Sequence, residues 1–120
     1  ALNAAMPHVV LEYTATLPSS LVAAVLAQSH AMVGASPTID PSAVKSRAYP
    51  STFFHVGQNH GRATYLHLSV ALLAGRPEEM RSALADRLLA LLKEHTALHN
   101  TPSCALSVEV REMDPATYRK

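Results

Sequence analysis

The hydrophobic period constrains this chain most, because it switches from strand spacing to helix spacing and back twice within 120 residues. Over residues 8–13, Val9, Leu11 and Tyr13 alternate with His8, Val10 and Glu12, the pattern of a half-buried strand. Pro18 then opens a helix, since its fixed φ and missing N–H suit a first turn. Val22, Val25, Leu26, Ser29, Met32 and Val33 recur on one face of it, and Gly34 is the expected left-handed stop. Residues 36–61 contain Pro37, Pro41, Pro50 and several short polar side chains, which predicts loop with short strands over 43–49 and 52–56. Gln58-Asn59-His60-Gly61 reads as a turn, because Asn and Gly accept positive φ.

The second half repeats the order. Residues 63–73 form a long predicted strand with Leu66, Leu68, Val70 and Leu72 on one side. Pro77 starts the next helix, with Glu78 and Glu79 against the positive end of its dipole. Met80, Leu84, Leu88, Leu91, Leu92 and His95 line one face of that helix. After Pro102, the run from Cys104 to Val110 alternates Cys104, Leu106, Val108 and Val110 against Ala105, Ser107, Glu109 and Arg111.

Two consecutive βαβ units therefore predict an α+β fold, a four-stranded sheet with both helices on one face. The helical crossover favours parallel pairing within each half. The other sheet face, expected to carry Val, Leu and Ala, is left bare, and burying it calls for another subunit.

Composition narrows the function classes. Hydrophobic residues are 48% and charged residues 16%, so the chain can pack a core. A net charge of +1 gives no reason to expect a nucleic-acid partner. Apolar runs fall far short of the roughly 20 residues of a membrane-spanning helix, so no membrane partner is expected. The lone Cys104 excludes an intrachain disulfide and fits a reducing, cytoplasmic compartment. Residues 1–6 lack the features of a secretory signal. They are expected to be a cloning remnant, or else a native extension, ahead of a domain at 7–120.

His95 and His99 stand four apart near a helix end, the spacing of a two-histidine metal clip. No accompanying Glu or Cys pattern supports a metal, and a structural role is the expectation. Cys104, at a strand start, reads as a small buried hydrophobe. The chain contains no nucleophile elbow, phosphate loop or dinucleotide fingerprint. A start at Met6 followed by methionine removal would make Pro7 an amino-terminal secondary amine. An ordinary α-amino group has a pKa of about 7.7–8.0, and nearby cations and burial push it toward neutrality. Such a base can take a proton from one atom and return it to another.

Met6-Pro7-His8-Val9-Val10-Leu11-Glu12, then Lys45-Ser46-Arg47, then His67 and Ala74-Gly75-Arg76 before a long helix, resemble 5-carboxymethyl-2-hydroxymuconate isomerase of the tautomerase superfamily. The resemblance implies a tautomerase-like fold, a homotrimer and no cofactor or metal. It implies that Pro7 is the catalytic proton carrier and that Arg76 is a catalytic carboxylate clamp. Lys45 and Arg47 are then substrate-binding, with Lys45 standing where the family has the first arginine of Arg-Ser-Arg. A lysine there keeps the charge and loses the planar fork. The implied substrate is an unsaturated keto acid with two or three carboxylates, from the breakdown of aromatic compounds. It would pass from a 2-hydroxymuconate-type dienol to the conjugated ketone. Glu12 and His67 match the family pattern with lesser roles, and Tyr49 and Phe54 are expected to pack in the core.

Within 1–120, Met6 acylates Pro7, and an amide nitrogen is no base. This form is expected to be inactive by the proline route. Two alternatives stand beside the isomerase: a noncatalytic trimer that binds small anions or a protein, and another superfamily activity such as phenylpyruvate-type tautomerisation or decarboxylation.

Overall fold

A computed structural model describes residues 7–58 and 63–120. The chain runs β1 (His8–Thr14), α1 (Ser19–Gly34), a short 3-10 turn (Pro41–Ala43), β2 (Lys45–Ser51), β3 (Tyr65–Leu73), α2 (Glu78–Leu98) and β4 (Ala105–Met113). The four strands form one sheet in the order β2-β1-β3-β4. Pairing is parallel within each half, β1 with β2 and β3 with β4, and antiparallel where the halves meet at β1 and β3. The two βαβ units and their parallel ladders are as the periodicity predicts.

The core lies between the sheet and the helices. Val9 and Leu11 of β1 and Leu66, Leu68, Val70 and Leu72 of β3 are fully buried. They pack with Leu21, Val25 and Val33 of α1 and Leu84, Leu88 and Leu92 of α2. Burying each such side chain stabilises the fold by about 1.5–3 kcal/mol. Leu106, Val108 and Val110 of the outer strand β4 are partly buried against this cluster, at its margin. Cys104 joins it, and burial pushes its thiol pKa up. Pro18 and Pro77 occupy the N-cap positions of α1 and α2, and Glu78 and Glu79 lie in the first turn of α2.

Four local expectations are corrected. β2 runs through Pro50 to Ser51, because it is an edge strand and a missing N–H costs nothing on its unpaired side. Residues 52–56 form no strand: the last bond of this ladder is Ala15 N–H to the Ser51 carbonyl at 3.0 Å, after which the chain leaves the sheet. Gly34 is no left-handed stop, since the cap is Ala35 at φ −87°; Gly34 is instead packed against Pro41, whose Cβ lies 3.4 Å from where a side chain would begin. The face away from the helices is mostly polar. It carries His8, Glu12, Arg47, His67, Ser69, Ser107, Glu109 and Arg111, with Val10, Ala71 and Ala105 among them, because register aligns the polar positions of neighbouring strands. The turn expected at residues 58–61 falls largely outside the described residues.

Candidate active site

One end of the sheet gathers the heads of β1 and β2 and the tails of β3 and β4. Antiparallel pairing sets His8 opposite Ala71, and parallel pairing sets His8 beside Lys45 and Leu73 beside Met113. Pro7 is buried at the head of β1, where its carbonyl accepts from the Lys45 N–H at 3.0 Å. The Ala74 N–H closes the far side on the Met113 carbonyl at 3.0 Å.

Arg76 follows this strand end. Gly75 turns the chain there at φ 124°, a conformation that suits glycine. The guanidinium is not solvated beside the helix: Arg76 is only 4% exposed. Its Nε donates to Thr38 Oγ1 at 3.1 Å, Nη2 to the Thr38 carbonyl at 2.9 Å, and Nη1 to the Leu73 carbonyl at 3.1 Å. Thr38 sits at φ 65°, a strained position for a β-branched residue, and these bonds hold it there. Burial lowers the Arg76 pKa from the ordinary arginine value.

Lys45 is exposed at the start of β2, beside His8 in register. Arg47 lies two positions farther along, and its Nη1 donates to His8 Nδ1 at 3.1 Å. That nitrogen must be unprotonated, so the ring proton is on Nε2, where it donates to Tyr118 Oη at 3.0 Å. The two rings meet edge to face with centroids 6.0 Å apart. Burial, then the charges of Arg47 and Lys45, lower the His8 pKa below its ordinary 6.5. A pocket of about 170 Å³ opens over this part of the sheet, lined by His8, Arg47, Ser69 and Arg111 on an apolar floor.

The structure thus brings Pro7, Lys45 and the Arg76 turn to one sheet end and sets Arg47 on the open face beside His8. His67 takes Ser107 and Ser69 as partners, and Glu12 is its register neighbour. Tyr49 is 53% exposed on the edge strand, not packed in the core, and Phe54 lines an open cleft with Phe53. His99 donates from Nδ1 to the His95 carbonyl at 2.9 Å, so this pair ties off the end of α2. Two contributors, Thr38 and Tyr118, are not apparent from sequence spacing, whereas Arg111 is visible as the polar end of the β4 alternation.

Two βαβ halves joined antiparallel across a mixed four-stranded sheet, with a proline heading the first strand, define a tautomerase-type fold. The family model for 5-carboxymethyl-2-hydroxymuconate isomerase matches residues 7–120, and the chain belongs to that family. A 5-carboxymethyl-2-hydroxymuconate isomerase from Deinococcus radiodurans R1 superposes with a TM-score of 0.85 at 28% identity, over 97% of this chain and 89% of that one. A 5-carboxymethyl-2-hydroxymuconate delta-isomerase shares the fold at a TM-score of 0.69 and 16% identity, covering 96% of this chain and 87% of that one. A fused wild-type 4-OT symmetric trimer shares it at 0.71 and 17% identity, covering 94% and 90%. No curated protein matches the chain in sequence. Family membership supports an isomerase of the tautomerase superfamily. Among the described residues, no helix is long and apolar enough to cross a membrane.

Proposed function

We propose that the form of this chain beginning at Pro7 is a cofactor-free isomerase that converts 2-hydroxymuconate-type dienols with two or more carboxylates into conjugated ketones. The observation that carries the reading is the buried proline, bonded through its carbonyl to the Lys45 N–H at the sheet end where the Arg76 turn closes. With its nitrogen free, Pro7 accepts the enol O–H proton and returns a proton to carbon. The product has the same atoms as the substrate, with the O–H bond exchanged for a C–H bond and the double bonds shifted.

Cations serve this step twice. Lys45 and Arg76 attract the substrate carboxylates and stabilise the charge that builds on the dienolate oxygens. The same charges, with burial, disfavour the protonated amine and bring the base toward working pH. In this reading Arg47 adds to that potential through His8, the residue next to Pro7. A homotrimer is proposed from the trimeric relative, since the polar open face supplies little apolar drive of its own.

Substrate class is tested by ultraviolet-monitored ketonisation with the Pro7 form, comparing a dicarboxylate dienol with the enol of phenylpyruvate. Faster turnover of the dicarboxylate supports the assignment. Faster turnover of phenylpyruvate enol would move the protein to another activity of the superfamily. Binding of dicarboxylates without turnover would favour a noncatalytic anion binder.

A further inference from the structure

The tail that follows β4 turns one residue inward. Met113 ends β4 where its carbonyl accepts from Ala74, so the tail leaves from the sheet end that holds Pro7. Asp114 then folds it back. Its carboxylate accepts from the Ala116 N–H at 2.9 Å, and its carbonyl from the N–H groups of Thr117 at 3.1 Å and Tyr118 at 2.9 Å. Every residue of 114–120 is exposed except Tyr118, which is half-buried. Two strand spacings of about 4.8 Å lie between β4 and β1. The phenol therefore reaches across the end of β3 to bond His8, the residue after Pro7.

Arg47, His8 and Tyr118 form a hydrogen-bond chain with one direction. A guanidinium only donates, so His8 Nδ1 accepts from Arg47 at 3.1 Å and the ring proton is on Nε2. Tyr118 Oη accepts that proton at 3.0 Å. The phenol's own O–H is left to donate, and it meets no acceptor among the described residues. Hydrogen bonds in series strengthen one another, and this series starts from a cation. The edge-to-face contact of the two rings holds the phenol against His8. Lys45 and Arg76 supply charge to the sheet end, but a short bond to one particular oxygen needs a donor with a fixed aim.

We infer that Tyr118 is a further catalytic residue, whose O–H donates to the substrate's 2-hydroxyl oxygen as that oxygen becomes the dienolate; this inference rests on the isomerase reading. Pro7 takes the enol proton, and the electron pair left on oxygen is held by the Tyr118 O–H. The proton then passes from Pro7 to carbon, while Tyr118 keeps its own. In this step Arg47 and His8 are positioning residues, aiming the phenol through the bond chain.

The test is Tyr118→Phe in the form beginning at Pro7, which keeps the ring on His8 and removes the O–H. Ketonisation of the dicarboxylate dienol is expected to lose at least about tenfold in kcat, with KM changed less than about threefold and the urea midpoint held. A second readout needs no turnover: calorimetric titration with 2-oxoadipate beside adipate, two diacids that differ in the oxygen at carbon 2. Tyr118→Phe should cost 2-oxoadipate at least about threefold in affinity and leave adipate unchanged. Parental kcat in Tyr118→Phe would overturn the role, and so would an equal loss for both acids, which would make the tyrosine structural. A parent without turnover would sink the isomerase reading, and the titration would then decide Tyr118 by itself. Selective loss of 2-oxoadipate would keep it as the donor to that oxygen, unchanged affinities would overturn it, and a parent that binds neither acid would overturn both.

Discussion

The Lys45 N–H donates to the Pro7 carbonyl at 3.0 Å, which ties Pro7, immediately ahead of β1, to the first residue of β2. The proline ring is thereby fixed in direction without any bond to its nitrogen being required. In the form beginning at Pro7, Pro7→Ala leaves this backbone bond in place. Circular dichroism and assembly size should be unchanged, while the ketonisation rate falls at least about 10²-fold. A rate within a few-fold of the parent would show that another group carries the proton.

Arg76 is predicted to be needed for stability as well as for binding. Arg76→Ala removes three donated hydrogen bonds that tie exposed Thr38 and part-buried Leu73 together and leaves a hole where the buried guanidinium sat. The expected cost is about 2–3 kcal/mol in urea unfolding. Arg76→Lys keeps the charge but cannot reproduce the three-way geometry, so it should recover only part of that loss. A variant with parental stability and raised KM would assign Arg76 to substrate alone.

Lys45 is exposed, so its replacement is read through binding more than through folding. Lys45→Arg restores the planar fork and is expected to lower KM for a dicarboxylate dienol about three- to tenfold with an unchanged unfolding midpoint. An unaltered KM would remove Lys45 from the carboxylate clamp.

His8 has a pKa lowered first by burial and then by Arg47 and Lys45. A lowered folded-state pKa means that the unfolded chain binds a proton more readily. The stability contributed by the neutral ring is therefore present above about pH 6.5, declines as pH falls below it, and is lost once His8 is protonated in the folded chain. Protonation puts a hydrogen on Nδ1, where Arg47 now donates, and the contact must break. Urea midpoints for the parent and His8→Gln, taken between pH 7.5 and 5, should differ in slope, with the parent falling more steeply. Parallel slopes would show that His8 does not titrate through this contact.

Local order was legible wherever a single period decided it. Leu66, Leu68, Val70 and Leu72 alternate without interruption, and they are the fully buried face of β3. Pro50 misled because a proline stops a central strand but not an edge strand, and edge position is a property of the sheet, not of the segment. The polar character of the open face is hidden from the single segments for a related reason. Its character comes from which residues of β1, β3 and β4 register places side by side, and Ser69, Glu109 and Arg111 become neighbours only after pairing. Of the candidate site, Pro7, Lys45 and the Ala74-Gly75-Arg76 turn were visible as motifs. Tyr118 was not, because its bond to His8 spans 110 residues with no local signature. Thr38 was equally hidden, since only the fold sets it beneath Arg76.

Ultraviolet-monitored ketonisation of a 2-hydroxymuconate-type dienol, by a chain beginning at Pro7 beside the 1–120 chain, tests the proline mechanism most directly. Turnover is expected in the Pro7 form, with a rate at least about 10²-fold lower in the 1–120 chain, whose proline nitrogen is an amide. Equal rates in the two would contradict the mechanism, because an acylated nitrogen cannot accept the enol proton.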